Sequence, residues 1–151
     1  MTAAEDPLTA QEERLWRALM RVIVALPRSL DDDLLRATGL TLTEYVVLMS
    51  LSEAENHELR MADLAAATAL SASRITRVVD ALQSRGQVVK RRYEGDARGN
   101  VATLTPEGLK RLQAAYPIHL ASARKRVMDH LDGRSLAAMV RQFETVVEKF
   151  D

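Results

Sequence analysis

Apolar side chains recur at three- and four-residue spacing through Leu15, Leu19, Val22, Ile23 and Leu26, the stripe of an amphipathic helix that Trp16 and Met20 widen. Pro27 interrupts the stripe and Leu30, Leu34 and Leu35 resume it, which predicts either one kinked helix or two helices broken at the proline. Gly39 is placed to close this region as a C-cap. Thr41-Leu42-Thr43-Glu44 then has the form of a capping box. The helix it starts carries Tyr45, Val46, Leu48, Met49 and Leu51 on more than one face, so it is expected at the centre of the fold.

Asn56 and His57 read as a turn, Glu58 to Arg60 as a short strand, and Met61 to Thr68 as a small helix whose Leu64, Ala65 and Ala67 allow close approach. Ser71 is a good N-cap for a helix with Ile75, Val78, Val79 and Leu82 inward and Gly86 at its end. The period then changes to that of a strand, with Val88, Val89 and Tyr93 among Lys90, Arg91 and Arg92. Glu94 to Asn100, with Gly95 and Gly99, turns the chain into a return strand from Val101 to Leu104, a two-stranded hairpin. Thr105-Pro106 opens a helix carrying Leu109, Leu112, Tyr116, Leu120, Val127 and Leu131, kinked at Pro117. After Asp132-Gly133 a last amphipathic helix holds Leu136, Met139, Val140, Phe143, Val146, Val147 and Phe150.

Helix, turn, helix, strand, basic loop, strand is the order of a winged helix-turn-helix. The expected fold is therefore mainly α with a small β-hairpin wing. Residues 41–104 are expected to form the DNA-binding region, and residues 1–40 with 105–151 a helical dimerisation region. The terminal helices carry more apolar side chains than one small winged domain could cover, which calls for a second copy of the chain.

Charge changes the picture only when it is mapped along the chain. The 21 basic and 21 acidic side chains cancel overall. Residues 60–100 nevertheless hold 8 basic and 4 acidic groups, against 5 and 11 in residues 1–59. The middle third is thus the part whose field attracts phosphate. With no cysteine, disulfides, thiolate metal sites and a cysteine nucleophile are excluded. No stretch reaches the roughly 18 to 20 apolar residues of a membrane helix, and Glu5, Asp6 and Pro7 do not fit a signal peptide, so a cytoplasmic protein with no membrane partner is expected.

The helix starting at Ser71 is narrow enough to enter a DNA major groove about 12 Å wide. Ser71, Ser73, Arg74, Thr76 and Arg77 are the exposed set expected to meet it. Arg74 and Arg77 offer planar donor forks to guanine or phosphate, and the serines offer short hydroxyls. Taken alone they would pass for a solvated helix face. The basic hairpin that follows supports the DNA reading, with Arg91 as a further contact and Arg98 as a tip arginine for the minor groove. Asp96 is placed to hold Arg98 extended, although an ordinary turn would show the same weak surface pair.

Other clusters hold less. Glu53 and His57 have a metal-ligand spacing, but Asn56 is expected to end the helix between them. Asp31, Asp32 and Asp33 read as a solvated face. His119 and His130 have no nucleophile pattern beside them, so neither an enzyme nor a cofactor is expected. The competing reading is a protein-interaction module on a winged-helix scaffold.

Three runs carry a specific resemblance: Leu59-Arg60-Met61-Ala62-Asp63-Leu64-Ala65, Leu70 to Leu82 with Gly86, and Asp96-Ala97-Arg98 followed by Leu104-Thr105-Pro106-Glu107-Gly108. Together they resemble the MarR family of transcriptional regulators. The resemblance implies a triangular homodimer joined through its terminal helices. It also implies binding of duplex DNA at palindromic operators, most often as a repressor, and release by small aromatic or phenolic effectors. Arg98 matches the family's wing-tip arginine, Asp96 its acidic partner, and Ser71 to Arg77 its recognition-helix start. Ala97 departs from a common proline, and Pro27 interrupts a first helix that is often continuous. For an effector site between dimer helices and winged core, the candidates are Trp16, Met20, Tyr45, Met49, Tyr116 and His119.

Overall fold

Thr9 opens the first helix with a capping box that the sequence reading does not anticipate. Its hydroxyl accepts from the Glu12 amide at 3.3 Å, and the Glu12 carboxylate accepts from the Thr9 amide at 2.7 Å. The computed structural model describes residues 6–92 and 99–150. Helix α1 (Ala10–Thr38) runs through Pro27 without a break and ends at Gly39, in the left-handed conformation at φ 73°. An interior proline costs a helix about 3 kcal/mol. Here the segment beyond it is anchored independently, by fully buried Leu34 and by the carboxylates of Asp31 and Asp33.

Those two carboxylates correct the expectation of a solvated acidic face, of which only Asp32 is exposed as expected. Asp31 accepts from the Leu42 amide at 2.7 Å. Asp33 accepts from Arg126 Nε and Nη2 at 2.8 and 3.0 Å and also from the Ser122 hydroxyl, which latches α1 to the end of α5 (Pro106–Arg126). The Arg126 hydrogen bonds, then that from Ser122, hold the Asp33 carboxyl well below the usual carboxylate range.

Both bonds of the Thr41–Glu44 capping box form, at 3.1 and 3.0 Å, and start α2 (Leu42–Glu53). Tyr45, Val47, Leu48 and Leu51 are buried along it, so it is the central helix that its all-round apolar pattern predicts. A single 3-10 turn, Glu55–His57, leads to β1 (Glu58–Arg60) and α3 (Met61–Thr68). The chain turns at left-handed Ala69, φ 53°, and enters α4 (Ala72–Ser84), where the Ser71 hydroxyl accepts from the Arg74 amide at 3.3 Å.

Strands β2 (Val88–Arg92) and β3 (Asn100–Leu104) pair antiparallel as the expected hairpin. The sheet nevertheless has three strands, in the order β1-β3-β2, because Glu58 to Arg60 pair with Thr103 to Val101. A three-residue strand is too short to show an alternation that would reveal its partner.

Helix α5 begins as Thr105-Pro106 predicts, with the Thr105 hydroxyl accepting from the Gly108 amide at 3.0 Å. It runs through Pro117 but stops at Arg126, short of the stripe expected to reach Leu131, because Val127 leaves the helical region at φ −133°. A 3-10 turn, Met128–His130, precedes α6 (Leu136–Val147), which ends before Phe150 and buries none of its side chains.

One core joins the winged elements to the end of α1 and to α5. Leu34 and Leu40 from the first segment and Leu112 and Ala115 from α5 are buried in the same cluster as Leu48, Leu64, Ile75, Val79, Leu82 and Ala102. No single helix among the described residues is long and apolar enough to cross a membrane.

Candidate nucleic-acid interface

Ile75, Val79 and Leu82 recur at four- and three-residue spacing and bury one side of α4. The same periodicity turns Ser73, Arg74, Thr76 and Arg77 outward, and all four are exposed together with Ser71. Their chemistry is not equally available. The Ser71 hydroxyl is engaged in capping, and the Thr76 hydroxyl donates to the Ala72 carbonyl at 2.9 Å, which leaves its oxygen able only to accept. Arg74 and Arg77 make no ion pair among the described residues, so their forks of donors face solvent. They border an open concavity of about 580 Å³ whose other wall is the first turn of α2 with Thr41 and Thr43.

The cations of β2 behave differently. Lys90 bonds to Asp80 on α4. Arg91 Nη2 lies 2.9 and 2.7 Å from Glu58 Oε1 and Oε2, and Oε2 also accepts from the Thr103 hydroxyl at 2.8 Å. The Thr103 and Arg91 hydrogen bonds, in that order, hold the Glu58 carboxyl below its ordinary value. Arg91 can reach a phosphate only by giving up or sharing Glu58. Sequence reasoning misses this pair because its members stand far apart in the chain and meet only across β3. Asp96 and Arg98, the expected wing-tip pair, lie outside the described residues.

The candidate effector residues separate into two places. Tyr45, Met49 and Tyr116 line a cleft of about 340 Å³ between α2 and α5. The His119 ring packs on Tyr45 with centroids 4.5 Å apart. Trp16 and Met20 lie on the exposed face of α1 and do not line that cleft. The Tyr45 hydroxyl and His119 Nδ1 are buried with no hydrogen-bond partner among the described residues. Burial pushes the tyrosine up, with smaller contributions from Tyr116 and Glu53, and pushes the histidine down. His57 Nδ1 lies 3.0 Å from the Ser52 carbonyl, and no group of three or more potential ligands that could hold a metal ion occurs among the described residues.

The MarR family profile matches residues 38–99, from the end of α1 into the wing. AbsC, a MarR family transcriptional regulator from Streptomyces coelicolor, is 33% identical, aligns over 96% of this chain and 97% of its own, and superposes with a TM-score of 0.86. The chain belongs to the MarR family. A second MarR family regulator from the same organism, Sco3205, was solved in complex with DNA; it is 30% identical over 97% of this chain and 92% of its own, with a TM-score of 0.88. The transcriptional repressor MprA of Escherichia coli (strain K12) is 31% identical over 84 residues, 56% of this chain and 48% of its own. This MarR-family chain thus spans about half the length of that curated relative.

Proposed function

We propose that the protein is a sequence-specific regulator of transcription, a repressor that binds duplex DNA as a homodimer. The single observation that carries this reading is the pair Arg74 and Arg77, exposed on the outer face of a helix whose inner face is fully packed. Residues 41–104 are the reading unit, with Ser71, Ser73, Arg74, Thr76 and Arg77 in the major groove and Arg98, supported by Asp96, at the minor groove. Arg91 is a secondary contact that competes with Glu58. Residues 1–40 and 105–151 pair two copies. Support for the pairing is the apolar surface left bare on α1 at Leu15, Trp16 and Ile23 and on α6 at Val140, Phe143 and Val147. A two-fold dimer sets its recognition helices about 34 Å apart and calls for a near-palindromic operator. The protein works in the cytoplasm beside that DNA and performs no catalysis.

A small aromatic or phenolic effector is the second part of the proposal. The cleft at Tyr45, Met49 and Tyr116 is mostly apolar, and its buried Tyr45 hydroxyl is without a partner among the described residues. An effector acts by preferring an arrangement in which the two recognition helices no longer match successive grooves.

The test begins with selection of bound fragments from a random duplex pool. Arg74→Ala is expected to change which sequence is preferred. Arg98→Ala is expected to weaken all sequences alike and to lower the slope of log K against log salt by about 0.9, one phosphate contact. If both variants bind as the parent does, the reading surface is misplaced. Binding that ignores salt favours a protein-docking role for the winged fold instead.

A further inference from the structure

The first turn of α2 touches more than its own helix. Asp31 of α1 accepts from the Leu42 amide at 2.7 Å, and the Thr41 hydroxyl accepts from the Glu44 amide at 3.1 Å. The Glu44 carboxylate uses Oε2 to accept from the Thr41 amide at 3.0 Å and Oε1 to accept from Arg85 Nη2, at the carboxyl end of the recognition helix α4. Glu44 is nearly enclosed, its side chain 12% exposed. On the far side, Arg111 of α5 donates to the Thr38 carbonyl and fixes the last turn of α1. Polar contacts therefore run without a gap from α1 through one helix turn to the end of α4.

Resting on the DNA-binding reading, we propose that this turn is the joint through which α1 sets the pose of the recognition helix, with Asp31, Glu44 and Arg85 as positioning residues. The apolar contacts of Ile75, Val79 and Leu82 fix how deeply α4 is seated, and Lys90 ties one side of it to β2 through Asp80 and Gln83. The charge-assisted Glu44–Arg85 bond is directional, and it acts at the end of α4 remote from the bases. At 1.5 Å per residue, Arg85 is about 16 Å along the helix from Arg74, so a tilt of about 10° at the joint displaces Arg74 by about 3 Å. Hydrogen bonds to base edges tolerate only a few tenths of an ångström. In a dimer the same joint, present twice, governs the separation of the two reading helices.

The experiment uses the full chain and the duplex its parent form selects, together with versions whose half-sites are moved apart or together by one base pair. Glu44→Gln, which keeps an acceptor for the Thr41 amide, and Arg85→Met are each expected to weaken binding roughly tenfold, the size of one charge-assisted bond. Both should flatten the preference for one half-site spacing while leaving the salt slope unchanged, since neither side chain is assigned a phosphate. Asp31→Ala combined with Arg85→Met should cost clearly less than the product of the separate losses, although the two residues do not touch. Arg85→Lys, a surface change that keeps the charge, is expected to restore much of the spacing preference; thermal melting of each variant confirms that it is folded. Parent-like affinity and spacing preference in Glu44→Gln and Arg85→Met overturn the proposal. So does a changed salt slope in Arg85→Met, which assigns Arg85 to DNA directly, or strict multiplicativity in the double variant. A parent protein that binds no duplex at all overturns the DNA reading, and the joint with it.

Discussion

A buried imidazole resists protonation, and His119, packed on Tyr45 with Nδ1 enclosed, is held below the ordinary value of 6.5 for this reason. The unfolded chain takes up a proton as the pH falls through that value, whereas the folded chain does not. The contribution of His119 to stability is therefore complete above pH 6.5 and is lost as the pH falls below it. Urea midpoints measured at pH 7.5 and 5.5 should show the parent weaker at the lower pH and His119→Phe less affected; equal pH dependence in the two proteins counts against the account. Asp33 and Glu58 act in a lower window. Their folded values are depressed, so what they contribute is present above the ordinary carboxylate range and disappears on further acidification. An acid melt of Asp33→Asn should accordingly be shallower than that of the parent below pH 4.

Between elements, α5 approaches the turn after α4 closely at Gly108. A Cβ added to Gly108 would overlap the Gln87 carbonyl oxygen and crowd Leu104, and the carbonyl is already held there by the Thr105 amide at 3.1 Å. Gly108→Ala should cost about 2 to 3 kcal/mol in urea denaturation, because backbone must move to admit one methyl group. A cost under about 0.5 kcal/mol would mean the turn yields freely. What could be read from the chain at this scale was local chemistry. Thr41 with Glu44, Ser71, Gly39 and Thr105-Pro106 marked helix ends correctly because a cap and its amides are neighbours in sequence. The solvent-facing side of α4 was equally legible, since burial follows from the period of Ile75, Val79 and Leu82. The pairing of β1 with β3, the Asp33–Arg126 latch and the Glu58–Arg91 pair were not, because each joins segments that only the folded chain brings together. For that reason Arg91, an expected DNA contact by composition, turns out to be engaged by a carboxylate, and Asp31 and Asp33, expected to be solvated, prove structural while Asp32 between them is exposed as expected.

For the whole molecule, α1 and α6 leave apolar faces bare, and it is through these that the proposed homodimer would join. Phe143 is 57% exposed and Ile23 53%, on helices whose other faces are polar. Phe143→Glu should convert a dimer into monomers in sedimentation and should weaken operator binding, since each half-site would then be held alone. Dimeric sedimentation of that variant would place the contact elsewhere. The shared core has a further bearing on how the chain can be divided. A fragment cut at residues 41–104 would leave behind Leu34, Leu40, Leu112 and Ala115, all packed with the winged elements. The excised piece would open holes over α2 and expose its leucines to water. A smallest autonomous winged unit cut from this sequence must therefore retain the end of α1 and the start of α5, and transplanting α4 alone into another scaffold would leave its inner face without a seat.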